Sequence, residues 1–244
     1  MKATYKLFNT DCLEFIEKTV QEKTIVDSIM VDLPYFQVVK NDFDNQWKTL
    51  EDYLAWVNKC LKYCKQLLKN GGNLILFCSR QNVWQICKLL FENGFIENRT
   101  IIWSRKRSFN NTRGKALASG YEPILFWSNG KSETFNNIKL KVESERKEYT
   151  EGTLKDGITM SDVWTDIPAL PHNSKEKVDH PTQKPLKLME RLISLFTNEN
   201  DTILDFCMGS GTTGVAAISL KRNVIGVEVD EKYFNIAEKR LKSL

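Results

Sequence analysis

The chain predicts an α/β fold in which a mostly parallel sheet carries helices on both faces. Three observations carry that prediction. Short apolar runs alternate with amphipathic helical stretches along the chain. A glycine-rich turn, Gly209-Ser210-Gly211-Thr212-Thr213-Gly214, sits between an apolar run and a helical one. The run Ser28–Val31 ends in Asp32-Leu33-Pro34-Tyr35-Phe36, which places an acid, a proline and two rings where a buried strand leaves its sheet.

Taken in order, Tyr5–Phe8 and Ser28–Val31 read as strands around a helix that begins near Asp11. Thr49-Leu50-Glu51-Asp52 has the form of a capping box. Leu50, Leu54, Val57, Leu61, Cys64 and Leu68 then share one helical face, and the helix is expected to stop at Gly71-Gly72. Leu74–Cys78 is a strand, and Gln81–Asn93 is a helix closed by Gly94. Phe95–Trp103 and Tyr121–Trp127 are two more strands, expected to pair, with the loop Ser104–Gly120 between them. Residues 128–178 are polar and lack periodicity, as an insertion or small subdomain would. Order returns with a helix from Pro185 to Phe196, a strand Thr202–Phe206, a helix Thr212–Leu220, a strand Val224–Val229 and a last helix.

At 244 residues, with 41% hydrophobic and 27% charged content, the chain can bury a sizeable core and is neither disordered nor fibrous. A net charge of +4 permits a nucleic-acid partner without requiring one. The six cysteines form no Cys-x-x-Cys pair, and there are two histidines, so reduced thiols and no metal are expected. Cys60 and Cys64 read as small apolar residues on one helical face. No run approaches the ~18 apolar residues of a membrane span, so the expectation is a soluble, cytoplasmic protein with no membrane partner.

The glycine turn fits two chemistries. In a dehydrogenase such a turn holds a pyrophosphate at the helix N-terminus. In an S-adenosylmethionine enzyme the glycines let the backbone approach the amino-acid part of the cofactor. Asp205, just before the turn, would then face the cofactor's ammonium, and Glu228, ending the next strand, would accept from ribose hydroxyls. The stretch after Val31 favours the second. Hydride transfer has no evident use for Asp-Leu-Pro-Tyr, whereas methyl transfer to an exocyclic amine does. That lone pair is conjugated into its ring. Hydrogen bonds from the amine to Asp32 and to the Leu33 carbonyl would favour a pyramidal nitrogen and stabilise the charge growing on it. Pro34 stiffens the turn, and Tyr35 or Phe36 can stack on a base taken out of the duplex.

The sequence resembles the DNA amino-methyltransferases that modify adenine at N6 or cytosine at N4, and within them the beta group, whose catalytic half precedes the cofactor half. Asn9–Glu14 resembles the G-D-x-L-E segment, Asp32–Tyr35 the D-P-P-Y tetrapeptide, and Leu68–Gly72 the L-K-P-G-G turn. Tyr121–Phe126 resembles H-E-P-I-L-F, and His180–Pro185 repeats H-P-T-Q-K-P without change. Leu204-Asp205 with Met208–Thr213 follows the L-D-P-F-M-G-S-G-T-T turn. Arg222-Asn223, Gly226 and Glu228 fit the strand that follows. There are three departures: Leu33 replaces a proline, Phe206-Cys207 replaces Pro-Phe, and Tyr121 replaces His.

The resemblance implies a class I S-adenosylmethionine-dependent methyltransferase fold with a seven-stranded sheet. It divides the chain into a catalytic half, 1–127, a short target-recognition insertion, 128–178, and a cofactor half, 179–244. It implies S-adenosylmethionine held by Asp11, Cys12, Asp205, Gly209, Ser210, Gly211, Thr212 and Glu228, with Thr182 and Lys184 near it. Asp32, Leu33, Pro34 and Tyr35 would be catalytic. DNA would be the partner, contacted by the basic stretch of Arg105, Lys106, Arg107, Arg113 and Lys115. Phe36–Trp47, with Lys40 and Asn41, is a second candidate loop over the base pocket, or else a cover for the core. A short recognition region fits a short site, or a homodimer whose subunits share the DNA. Asp at the head of the tetrapeptide favours adenine over cytosine. A same-fold methyltransferase of RNA or protein, a nicotinamide enzyme, and a DNA-binding relative without catalysis are the alternatives.

Overall fold

The computed structural model describes residues 3–38, 44–109, 117–140 and 158–244. Alternating strands and helices close into one sheet. Its strands are β1 (Tyr5–Asn9), β2 (Val26–Asp32), β3 (Leu68–Phe77), β4 (Ile96–Phe109), β5 (Ser119–Ser128), β8 (Val163–Trp164), β9 (Thr202–Asp205) and β10 (Asn223–Glu228), and a separate small ribbon pairs β6 (Lys139–Leu140) with β7 (Ile158–Thr159). Across the sheet the order is β1-β10-β9-β2-β3-β5-β4-β8. Strands β1 through β3 in that order are parallel, whereas β5 runs antiparallel to both β3 and β4. The expected seven strands are all present. The eighth, β8, adds two residues parallel to β4 at Ile102–Trp103.

Side chains alternate across the sheet, which gives it a core on each face. Ile29, Val31, Leu74 and Leu76 point to a layer built with α1 (Cys12–Gln21), α2 (Leu50–Leu67) and α3 (Val83–Glu92). Met30, Ile75 and Phe77 point to the opposite layer, with α4 (Leu186–Phe196), α5 (Thr212–Ser219) and Leu241 of α6 (Glu231–Lys242). Cys60 and Cys64 are buried in the first layer, as their spacing suggested.

The α2 N-terminus is the expected capping box, with Thr49 and Asp52 exchanging hydrogen bonds. Its end differs: the helix stops at Leu67, and Leu68–Gly72 already belongs to β3. The reason is pairing, because Val26 of β2 sits opposite Leu68 before the register shifts at Ser28. The expected loop after Trp103 is likewise partly strand. Ser104 pairs with Tyr121, and the β4–β5 pairing resumes at Phe109 and Ser119. Part of the polar stretch after β5 is bound to the main body. Asn73 donates to the Thr134 and Phe196 carbonyls at 2.8 and 2.9 Å, and Trp103 donates to the Ile167 carbonyl at 2.7 Å.

The strand order reverses between β2 and β9, which places Asp32 and Asp205 at the C-terminal ends of neighbouring strands. Open α/β sheets bind ligands at such a switch point. Because β5 is antiparallel, its first residues reach the same edge.

Candidate functional site

One cavity of about 1370 Å³ opens along that edge. It is lined by Asp11, Cys12, Asp32, Leu33, Pro34, Tyr35, Thr182, Lys184, Asp205, Gly209, Ser210, Thr212 and Glu228, together with Arg105 and Glu122. The sequence-predicted residues from both halves therefore face a single space.

On one side the glycine turn joins β9 to α5. Asp205 is buried and accepts from the Cys207 backbone N–H at 3.2 Å. Burial outweighs that bond and a Thr213 hydrogen bond, and lifts its pKa to about 7. A cation placed there would restore the ionised form. Glu228 accepts from the Gly209 and Asp230 N–H groups at 2.8 and 2.9 Å, and burial raises its pKa despite them. Each of its oxygens keeps a further lone pair for a hydroxyl donor. Gly209 has φ +50°, and a Cβ there would lie 2.8 Å from His180 Nε2. His180 is neutral at pH 7, held to about 4 by burial and by Lys184 and Lys177. This donor set fits S-adenosylmethionine: one acid for an ammonium, one for ribose, and a glycine where backbone must come close.

Five predicted cofactor residues have local contacts as well. Asp11 is the α1 N-cap and accepts from the Leu13 and Glu14 N–H groups at 2.8 and 3.1 Å. Ser210 and Thr212 are bonded to Arg240 of α6, which donates to the Ser210 carbonyl at 2.6 Å and to the Thr212 hydroxyl at 3.1 Å. Gly211, at φ +74°, answers to packing, since a Cβ there would lie 2.8 Å from the Ala237 Cβ. The neighbouring thiols of Cys207 and Cys60 hold the Cys12 thiol below its ordinary pKa. Cys207 shares the cavity wall with Cys12, and Phe206 reaches the cavity from the core with 2% exposure.

On the other side lies a cluster of four charged and polar groups. Lys184 Nζ sits 2.5 Å from Asp32 Oδ2 and 3.0 Å from Glu122 Oε1. The Tyr35 hydroxyl is 2.9 Å from Asp32 Oδ1 and in closer contact with Glu122 Oε1. Burial raises the Asp32 pKa, and the Lys184 ammonium opposes it only in part. Burial also works against the Lys184 charge, but Asp32 and Glu122 together outweigh it and leave its pKa above the ordinary lysine value. Lys184 is expected near the cofactor; the structure places it on Asp32. Asp44 fixes the turn after Pro34, accepting the Tyr35 N–H at 2.7 Å on its side chain and the Gln37 N–H at 2.9 Å on its carbonyl.

Of the two candidate stacking rings, Phe36 is occupied. It stacks on Tyr53 at 5.9 Å, and Trp47 packs on Tyr53 and Trp56 at 5.0 and 4.9 Å. These rings cover the core, and Tyr35 alone of the pair lines the cavity. Lys40 and Asn41 lie outside the described residues. In the basic stretch, Arg105 lines the cavity and donates to the Ser119 carbonyl at 3.1 Å, while Lys106 is exposed on β4. Arg113, Lys115 and the side chain of Arg107 lie outside the described residues. Among the described residues no group of His, Cys, Asp and Glu is arranged to hold a metal ion, and no helix is long and apolar enough to cross a membrane.

Sequence reading missed Glu122, Asp44 and Arg240 as site residues. Glu122 was visible inside the segment resembling H-E-P-I-L-F. Arg240 lies in a helix rich in charge, where nothing marks it out.

Comparison with known proteins agrees with this geometry. The family described as DNA methylase (N6_N4_Mtase) matches residues 26–239. Type II methyltransferase M2.DpnII of Streptococcus pneumoniae is 32% identical over 97% of this chain and 89% of its own length. Type II methyltransferase M1.MboII of Moraxella bovis is 30% identical over 98% and 97%. Among solved structures, the M1.HpyAVI–SAM complex is 30% identical, with a TM-score of 0.72 over 98% of this chain and 99% of its own. The cytosine-N4-specific PvuII DNA methyltransferase, at 18% identity, TM-score 0.75 and coverage of 98% and 87%, shares the fold. With the class I methyltransferase sheet, the acid-and-glycine turn and the Asp-Leu-Pro-Tyr edge in one cavity, the chain belongs to the N6/N4 DNA methylase family.

Proposed function

We propose that this DNA methyltransferase transfers a methyl group to the exocyclic N6 amine of adenine in DNA. The observation that carries the reading is the single cavity in which Asp32 of the tetrapeptide faces the same space as Asp205 and Glu228. The methyl donor is S-adenosylmethionine, which supplies an electrophilic methyl on a sulfonium. Asp205 would hold its ammonium, Glu228 its ribose, and Gly209 leaves room for its approach.

On the catalytic side, Asp32 Oδ1 and the Leu33 carbonyl would accept the two amine hydrogens, directing the nitrogen lone pair toward the donor side of the cavity. The Asp32 charge stabilises the positive charge that grows on nitrogen. Bond formation leaves the nitrogen with one proton too many. Asp32, whose pKa burial has raised, is the nearest base to take it. Adenine must leave the duplex to reach the cavity, and the Tyr35 ring, which lines it, would stack on the base. The division at 1–127, 128–178 and 179–244, with the middle segment as target-recognition region, belongs to the same proposal. Asp at the head of the tetrapeptide supports adenine over cytosine.

The test is label transfer. With methyl-tritiated S-adenosylmethionine and unmethylated plasmid DNA, tritium is expected in the DNA with wild-type protein and not with Asp32→Ala. Label entering RNA or protein but not DNA would overturn the substrate. Equal labelling by the variant would overturn the mechanism.

A further inference from the structure

We propose that Glu122 is a positioning residue for this reaction: it takes the Tyr35 hydroxyl off Asp32 Oδ1 and shares the Lys184 ammonium that Asp32 Oδ2 holds, keeping Oδ1 open to the target amine. The inference rests on the methyl-transfer reading above.

Tyr35 has one hydroxyl hydrogen and two carboxylates within reach, Asp32 Oδ1 at 2.9 Å and Glu122 Oε1 closer still. One hydrogen serves one acceptor well, and the shorter contact takes it. Lys184 approaches Asp32 on the other oxygen, Oδ2, and spends a second hydrogen on Glu122. Asp32 Oδ1 is therefore the acceptor left over. The side-chain exposures agree: 28% for Asp32 against 11% for Lys184 and 9% for Glu122. Asp32 meets the cavity, and Glu122 stands behind it.

Charge points the same way. Lys184 against Asp32 alone would make a neutral pair, poor at stabilising a cationic nitrogen. With Glu122 ionised, two carboxylates against one ammonium leave a net negative charge beside the amine. The fold supplies this at the sheet edge, because antiparallel β5 begins where β2 ends. Without Glu122, the Tyr35 hydroxyl would turn to Asp32 Oδ1, and Lys184, already on Oδ2, would neutralise Asp32 alone.

Glu122→Gln keeps the shape, removes the charge and adds an N–H donor. Its kcat for DNA methylation is expected to fall about 10- to 100-fold, less than the ~100- to 1000-fold cost of losing a direct transition-state contact, because Glu122 acts through Asp32. Its affinity for S-adenosylhomocysteine, measured by calorimetry, should stay within about twofold, which also shows that the variant folds. Adding Lys184→Met to Glu122→Gln restores the net negative charge, and the double variant should run at least about tenfold faster than Glu122→Gln. Glu122→Asp, which keeps the charge, should retain about a third of wild-type kcat or more. A Glu122→Gln kcat within about threefold of wild type, or a double variant no faster than the single, overturns the proposal. If wild type does not methylate DNA, the underlying reading fails. If wild type is active, Asp32→Ala inactive and Glu122→Gln normal, this inference alone fails.

Discussion

With Asp205 as the proposed partner of the cofactor's ammonium, cofactor binding should depend on pH. Buried at the end of β9, it is lifted from the ordinary 3.8 to about 7, chiefly by burial. That rise corresponds to about 4 kcal/mol of penalty on the carboxylate. The sign follows from linkage. The folded-state pKa is raised, so the contribution of Asp205 to stability is full below its unfolded value and is lost as pH rises through about 7. An ammonium bound beside it needs the ionised form and offsets that loss. Affinity is therefore set by the ionised fraction, and Kd should grow about tenfold from pH 8 to pH 6. S-adenosylhomocysteine is the suitable probe, because it lacks the labile sulfonium and its amino group stays protonated over this range. Calorimetric titration at pH 6, 7 and 8 in two buffers of different ionisation enthalpy reads both Kd and proton release. Proton release on binding should be largest at the acid end. Asp205→Asn should bind more weakly at pH 8 and lose the dependence. A flat wild-type profile, or an unchanged slope in Asp205→Asn, would refute the assignment of the ammonium to this acid.

Asp32→Ala should lower kcat by about a hundredfold or more, with S-adenosylhomocysteine affinity nearly intact, in a steady-state tritium assay. Gly211→Ala should cost about 1–3 kcal/mol in urea unfolding, since its backbone is at φ +74° and the new Cβ meets Ala237. Lys106→Ala, at an exposed position on β4, should weaken DNA binding about evenly across sequences and flatten the log Kd against log salt slope by about one. Unchanged slope would remove Lys106 from the phosphate contacts.

How far the sequence foretells this molecule depends on range. Strands such as Leu74–Cys78 declare themselves as unbroken apolar runs because both their faces are buried, and helices such as Leu50–Leu67 by period because one face is. β8 does not, because Val163-Trp164 is too short to show a period and becomes a strand only where β4 offers an edge. The end of α2 was set by Val26, far upstream, so Gly71-Gly72 was a misleading stop. Within the site, Asp32, Asp205, Glu228 and Gly209 stand at strand ends or in a turn whose chemistry is local. Lys184 could be placed in a motif but not on a partner. Its bond to Asp32, and the Glu122 contact that completes it, exist only once β2, β5 and the approach to α4 meet. Gly211 was legible as part of the glycine turn, but its packing against Ala237 of α6 was not, because that contact joins distant parts of the chain.

The central claim is the base. Incubating the purified protein with unmethylated DNA and S-adenosylmethionine, digesting to nucleosides and weighing them by mass spectrometry tests it most directly. The account predicts a new N6-methyldeoxyadenosine peak that is absent with Asp32→Ala. N4-methyldeoxycytidine in its place would contradict the adenine assignment, and no methylated nucleoside from any of several DNAs, with cofactor binding demonstrated, would contradict the account as a whole.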